Sequence, residues 1–399
     1  MSDPSEQGNS SRSLPVPDPD ALAHSRQLEA YIRQVMDASG GSIPFSRFME
    51  LALYAPGLGY YSAGAAKLGE HGDFVTAPEI SSLFSGCLAG QIAQVLEQIG
   101  GGDVLELGAG SGVMAADILD QLDRLGCLPR RYLILEVSAD LRQRQQTLLA
   151  ARVPGLIDRV QWLDSLPAAL EGVILANEVL DALPVERFRI EPDGLVAQAV
   201  NWSVDGFAWQ DVPASDALQR EWQRLSAELP TTPDNGFTSE ICLQLGPWLQ
   251  ALNQSLSRGL MLLIDYGLPR SQYYHPQRSD GTLICHYRHR AHPDPLRLVG
   301  IQDITAWVDF TRVAETAVDL GLEIMGFATQ AHFLAAGGID QLLQRAPGDT
   351  ARQRLGLAAQ MRKLILPGEM GERFKVIGLS RGLAGSVSGF GMHDLTHTL

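Results

Sequence analysis

Val104-Leu105-Glu106-Leu107-Gly108-Ala109-Gly110-Ser111-Gly112 is the stretch that decides the fold. Val104 to Leu107 is an apolar run short enough for a buried strand, and three glycines break it at once. Helical spacing resumes from about Gly112 to Leu125, so the segment reads as strand, tight turn, helix. The same alternation continues downstream. Tyr132 to Leu135, Val160 to Leu163, Val173 to Ala176 and Leu260 to Ile264 read as further strands, with a helix over Ala139 to Ala151 between two of them. These runs are apolar on both faces, which suits strands covered by helices on two sides. A helix over Asp309 to Leu320, then Leu322 to Phe327 and Phe374 to Leu379, complete the pattern. The expectation is an α/β fold: a doubly wound, Rossmann-like parallel sheet with right-handed crossovers.

Around that core the chain divides further. Residues 1–20 are rich in Ser, Pro and Asp and read as a disordered tail. Residues 21–102 form an N-terminal helical cap, with helices from Ala21, from Ser42 or Pro44, and over Leu83 to Ile99, and a loop from Gly64 to Pro78. The sheet domain spans 103–380, with insertions at about 186–235 and 267–303. The first insertion alternates apolar and polar residues around Pro192-Asp193-Gly194 and Asp205-Gly206, the pattern of β-hairpins. Helices are expected from about Ala214 and about Glu240. The second insertion is too long for a mere connector. Residues 381–399, rich in Gly and Ser, read as a flexible tail.

The glycine loop limits the ligand. Glycines let the backbone turn tightly and approach a bound molecule without a Cβ in the way. A dinucleotide fingerprint would carry Gly or Ala at the sixth position, where this chain has Val113. It has instead a third glycine and an acid, Glu106, two residues before the first. S-adenosyl-L-methionine carries an ammonium that such an acid can help hold. Glu136 ends the second strand, where one carboxylate can take both ribose hydroxyls. Glu106, Gly108, Gly110, Gly112 and Glu136 are therefore candidate cofactor-binding residues; an ordinary strand-to-helix turn is the bland alternative. Asn177-Glu178-Val179-Leu180-Asp181 follows the fourth strand, and in open α/β sheets ligands bind beyond the carboxyl ends of strands. Asn177, Glu178 and Asp181 thus face the same crevice, unless Asn177 simply caps a helix with Glu178 in its first turn. Asp265-Tyr266-Gly267 ends the fifth strand nearby.

Composition narrows the partners. A net charge of −15 disfavours nucleic acid, because phosphate backbones need clustered cations. No apolar run is long enough to insert in a membrane. Four widely spaced cysteines make neither a zinc site nor a disulfide framework, and no metal is expected from His286, His289 and His292. Isolated thiols and an acidic first segment point to the cytoplasm. Oligomeric state is not encoded in any motif.

Three blocks together resemble the MidA-type methyltransferases: Gly72-Asp73-Phe74-Val75-Thr76-Ala77-Pro78-Glu79-Ile80-Ser81, the Glu106 to Gly112 loop, and Asn177 to Val185. Asp265-Tyr266-Gly267, Gly281-Thr282-Leu283, Asp303-Ile304-Thr305 and Gly371-Glu372-Arg373-Phe374 extend the similarity over about residues 43–380. That family includes the mitochondrial arginine methyltransferase that assists assembly of respiratory complex I. The resemblance implies a seven-strand class I methyltransferase fold and symmetric dimethylation of an arginine on a protein partner such as a complex I subunit. A guanidinium acceptor would be gripped by carboxylates: Glu178, with Asp181 or Asp73 as the second. Asn177 would shape the floor near the methyl group, and Thr76 and Glu79 would close over the cofactor. After Gly281-Thr282-Leu283 the chain reads Ile284-Cys285-His286-Tyr287-Arg288-His289-Arg290, unlike the basic, histidine-free stretch common in the family. A small-molecule acceptor, a nicotinamide oxidoreductase and a non-catalytic assembly factor are the rival readings.

Overall fold

The computed structural model describes residues 14–63, 75–346 and 350–399. Seven strands make the central sheet: β1 (Asp103–Leu107), β2 (Tyr132–Leu135), β3 (Val160–Leu163), β4 (Leu170–Asn177), β5 (Leu256–Leu268), β6 (Glu323–Thr329) and β7 (Phe374–Arg381). Their spatial order is β3-β2-β1-β4-β5-β7-β6. The first five are mutually parallel, whereas β7 runs antiparallel to both β5 and β6. A two-residue strand, Val308–Asp309, adds to the end of β5.

Alternation along the strands supplies both layers. Val104, Val173 and Leu175 face α1 (Ser82–Ile99), α2 (Val113–Arg124) and Leu149 of α3 (Ala139–Arg152) in one core. Leu105, Leu107 and Ile174 face the helices Leu245–Ser255 and Phe310–Asp319 in the other. The chain winds from β1 outward through β2 and β3, then returns to place β4 and β5 on the opposite side. Between β1 and β4 the helices therefore diverge to opposite faces, which opens a crevice above the strand ends.

The cap and first insertion are one structural unit. Glu186–Glu191, Gly194–Ser203 and Gly206–Pro213 form an antiparallel meander. Residues Ser42–Pro44, expected to start a helix, are instead a short strand paired with Ala199–Asn201, and the helix begins one residue later at Phe45. Pairing satisfies those backbone groups better than a helical first turn lacking a side-chain cap. Phe45 packs on Trp209 at 5.0 Å and Phe48 on Phe207 at 5.1 Å between ring centroids. Glu240, expected to open a helix, lies in the strand Thr238–Ile241, and the helix starts at Leu245. The stretch 267–303 carries a hairpin, Ile284–Tyr287 with Arg290–His292, so His286 and His292 belong to strands rather than a loop. Among the described residues no helix is long and apolar enough to cross a membrane.

The C-terminal segment corrects another expectation. Residues 381–399 are not a free tail. Gln91 Oε1 accepts from the Gly389 N–H at 2.7 Å, Gln94 Oε1 from Ser388 N–H at 2.8 Å, and Leu395 N–H donates to Phe327 O at 2.6 Å. Phe390 is 7% exposed and stands 5.2 Å from the Phe333 ring. It occupies a slot that exists because β6 and β7 carry Gly326 and Gly378: a Cβ on either would approach the Phe390 ring to 2.5 or 2.6 Å. Composition misled here because glycine is read locally as flexibility, whereas these glycines and this phenylalanine meet only in the fold. Phe390→Ala is expected to cost about 3–5 kcal/mol of stability in denaturant titrations. Affinity for S-adenosylhomocysteine should stay within about twofold, because no residue of this corner lines the crevice.

Candidate active site

A cavity of about 360 Å³ fills the crevice at the carboxyl ends of β1 and β4. Glu106, Gly108, Gly110, Glu136, Thr76, Asn177 and Glu178 all line it, together with Glu79. The topology explains the convergence: parallel strands end on the same edge, so each post-strand turn projects into one space.

Glu106 is fully buried next to the end of β1. Tyr132 Oη donates to its Oε2 at 2.6 Å, while Oε1 has no partner among the described residues. Burial pushes the carboxyl up to about 7; the Tyr132 hydrogen bond opposes that rise and the negative charge of Glu136 adds to it. Gly108 and Gly110 have φ of +61° and +54°, in the left-handed region. A Cβ on Gly108 would also press on Val179 Cγ2 at 3.3 Å.

Glu136 receives the Ser138 N–H on Oε1 at 2.9 Å and Gln145 Nε2 on Oε2 at 3.0 Å. Burial raises its pKa and these two bonds pull it back. Each oxygen keeps a second lone pair, so the carboxylate can still present both oxygens to a diol.

Asn177 ends β4, and the chain then turns instead of entering a helix, which removes the capping alternative. Glu178 has φ +54°, a conformation that costs a non-glycine residue about 1–3 kcal/mol. Its backbone N–H is tied to Ile264 O of β5 at 2.9 Å. The side chain is half-buried, facing the cavity. Asn177 Nδ2 donates to Glu178 Oε1 at 3.2 Å, and the Ala77 N–H also bonds the carboxylate. Desolvation inside the crevice, then the nearby Asp181 charge, push Glu178 up to about 8, against those two hydrogen bonds.

Two expected site residues stand elsewhere. Asp181 does not line the cavity: its backbone N–H donates to Asp265 Oδ2 at 3.2 Å and its carboxylate accepts from the Tyr266 hydroxyl, behind the Glu178 turn. One turn of chain rotates it away from its neighbour. Asp265 likewise supports the turn, accepting the Leu180 N–H at 2.9 Å. Gly112, at φ +86°, does not touch the cavity either; a Cβ there would meet Gln145 Cα at 3.3 Å. The third glycine admits a neighbouring helix, not the ligand. Asp73 lies outside the described residues.

Among the other lining residues, Tyr54, Tyr61 and Trp248 carried no local signal. Tyr54 and Tyr61 roof the cavity, stacked at 5.6 Å, with Tyr54 Oη donating to Ala182 O at 3.0 Å and Tyr61 Oη to Asp303 Oδ1 at 3.0 Å. They come from the cap, whose Pro56-Gly57 break reveals a turn but not its destination. Glu79 accepts a short hydrogen bond from Ser111, fastening the segment around Thr76 to the glycine loop. Trp248 closes the far wall.

These residues fit S-adenosyl-L-methionine. The orphaned, buried Glu106 oxygen is matched by an ammonium, Glu136 by a ribose diol, and the glycines by a chain passing close to backbone. Fold and site define a class I S-adenosylmethionine-dependent methyltransferase. Comparison with known proteins agrees. The profile of a family described as S-adenosyl-L-methionine-dependent methyltransferases matches residues 87–328. A crystal structure of a superfamily relative from Burkholderia thailandensis, bound to S-adenosyl-homocysteine, is 45% identical, covers 97% of this chain and 100% of its own, and superposes with a TM-score of 0.93. Mouse "Protein arginine methyltransferase NDUFAF7, mitochondrial" is 32% identical over 90% of this chain and 86% of its own length. The human protein of that name is 30% identical over 86% and 80%. The chain belongs to the MidA-type family of S-adenosylmethionine-dependent methyltransferases. The cytoplasmic location expected from composition is not retained, since these relatives are named mitochondrial. An address is read from short segments outside the folded core, so thiol count does not report it.

Replacing Glu136 by Ala removes a charged, two-point hydrogen bond of about 1.5–3 kcal/mol, so S-adenosylhomocysteine affinity is expected to fall about ten- to a hundredfold by calorimetry. An unchanged dissociation constant would exclude Glu136 from the ribose.

Proposed function

We propose that this enzyme methylates an arginine side chain of a protein partner. The observation that carries the reading is Glu178, a desolvated carboxylate on the cavity wall. It is held in a strained backbone conformation, with no cation of the chain among its charge partners in the described residues. Strain of this kind persists where a site over-determines it. A guanidinium is the ligand that rewards such a group, because it keeps its charge and offers paired donors to one carboxylate. Asn177 Oδ1, buried and without a partner among the described residues, supplies a neighbouring acceptor. The roof of Tyr54 and Tyr61 gives a planar cation an aromatic face. The names of the mouse and human relatives point the same way.

S-adenosylmethionine supplies an electrophilic methyl group when bound. The chain's own contribution is positional. Glu178 fixes the plane of the guanidinium and draws charge away from the attacking nitrogen. Tyr54, Tyr61 and the segment fastened through Glu79 exclude water. Asp181 acts at longer range: its charge helps keep Glu178 protonated until a cation arrives. The family resemblance makes a respiratory complex I subunit the first acceptor to test and symmetric dimethylarginine the first product to seek.

The direct experiment incubates the protein with methyl-labelled S-adenosylmethionine and cell lysate, then hydrolyses the labelled protein and identifies the methylated amino acid. Label in arginine supports the proposal. Label confined to small molecules replaces it with a small-molecule methyltransferase, and absence of transfer despite cofactor binding leaves a non-catalytic assembly factor.

A pH profile tests the role of Glu178. Because its pKa is raised to about 8, the free enzyme holds it protonated at neutral pH, and capture of a cation requires the ionised form. The rate with limiting acceptor should therefore climb with pH through about 8 and level off above. In Glu178→Gln that climb should vanish and transfer fall about a hundredfold or more, with S-adenosylhomocysteine affinity nearly unchanged. Full transfer in the Gln variant would remove Glu178 from the catalytic group.

A further inference from the structure

Gln145 lies on α3, fully buried, between the two halves of the cofactor site. Its Nε2 donates to Gly110 O at 3.0 Å and to Glu136 Oε2 at 3.0 Å. Its Oε1 accepts from Trp162 Nε1 at 2.9 Å. The orientation of the amide is fixed by chemistry: an indole nitrogen can only donate, and a carbonyl and a carboxylate can only accept. All three polar functions of the side chain are thus used, with no choice of flip. Gly112 is the other half of the arrangement, since a Cβ there would crowd Gln145 Cα and Cγ, each at 3.3 Å.

We infer that Gln145 is a positioning residue that couples the glycine loop to the ribose-binding acid, setting cofactor affinity through Glu136. One amide clamps the carbonyl of the second loop glycine and one oxygen of Glu136 at a common distance. That spacing sets where the carboxylate fork stands relative to the turn along which the cofactor's chain passes. Without the clamp, Glu136 keeps only backbone donors, Ser138 N–H and Val137 N–H, and loses the side-chain donor that fixes Oε2 in the plane a diol needs. Trp162, on β3, holds the amide from behind, so the third strand of the sheet is wired to the cofactor without touching it.

Calorimetry with S-adenosylhomocysteine and a double-mutant cycle test this. Gln145→Leu alone should weaken binding about tenfold, the size expected when a hydrogen-bonded orienting group is lost. In the Glu136→Ala background the same substitution should change affinity by less than about threefold, since nothing remains to orient. A merely structural role predicts equal losses in both backgrounds. Gln145→Glu supplies a second readout. At neutral pH it sets a carboxylate against Gly110 O and Glu136 and should weaken binding further. As the pH is lowered and the buried acid regains a proton to donate, affinity should recover toward that of the parent. If Gln145→Leu does not fold, Trp162→Phe releases the amide while leaving the clamp atoms in place and should weaken binding about threefold. Additive losses in the cycle, or affinity within twofold of the parent for every one of these variants, would overturn the inference.

Discussion

Two carboxylates carry the site, and neither has an ion-pair partner among the described residues: Glu106 within β1 and Glu178 beyond β4, both desolvated at the carboxyl edge of the parallel strands. A charge taken out of water must find a counter-charge or take up a proton. Here the protein supplies only hydrogen-bond donors: Tyr132 to Glu106, Asn177 and Ala77 to Glu178. The missing positive charge is left to ligands. A sulfonium cofactor with an ammonium group supplies part of it, and the guanidinium acceptor proposed above would supply the rest.

The sheet makes this possible by topology. Where strand order reverses between β1 and β4, the covering helices part and the strand ends stand open. Asp265, at the end of β5, accepts backbone N–H groups from Leu180 and Asp181 and so sets the turn that holds Glu178 at positive φ. Asp181 and Asp265, adjacent in motif to the cavity residues, are the scaffold of the turn. The cap then covers what the sheet leaves exposed. Its Tyr54, with Tyr61 in the turn that follows, reaches over the cavity because Phe45 and Phe48 of the helix that ends at Tyr54 are buried against Trp209 and Phe207 of the insertion.

Much of the central layer was legible in the sequence because each strand and crossover helix declares itself locally. Apolar runs of four or five residues, a change from period 2 to period 3.6, and glycines at the turn are all short-range signals. Glu106, Gly108, Gly110, Glu136, Asn177 and Glu178 were legible for the same reason: each sits within a few residues of a strand end, and strand ends share one edge. The misreadings have one cause. Ser42 and Pro44 look like a helix start, Glu240 like a helical residue, and 381–399 like a loose tail; each is decided by a partner far along the chain. Ser42–Pro44 pairs with residues near 200, and Phe390 enters a slot made by Gly326 and Gly378.

Sequence by itself determined the parallel α/β core, the cofactor loop and the acids on either side of it, because these follow from hydrophobic period and turn chemistry within about thirty residues. Only tertiary structure decided which residues share the cavity. It brought in Tyr54 and Tyr61 from the cap, set Gln145 of α3 behind the lining where it bonds Gly110 and Glu136, and turned Asp181 and Gly112 away. The physical reason is that a side chain's direction at the edge of a sheet depends on the turn that carries it. That turn is fixed by hydrogen bonds to neighbouring strands whose distance along the chain no local pattern encodes.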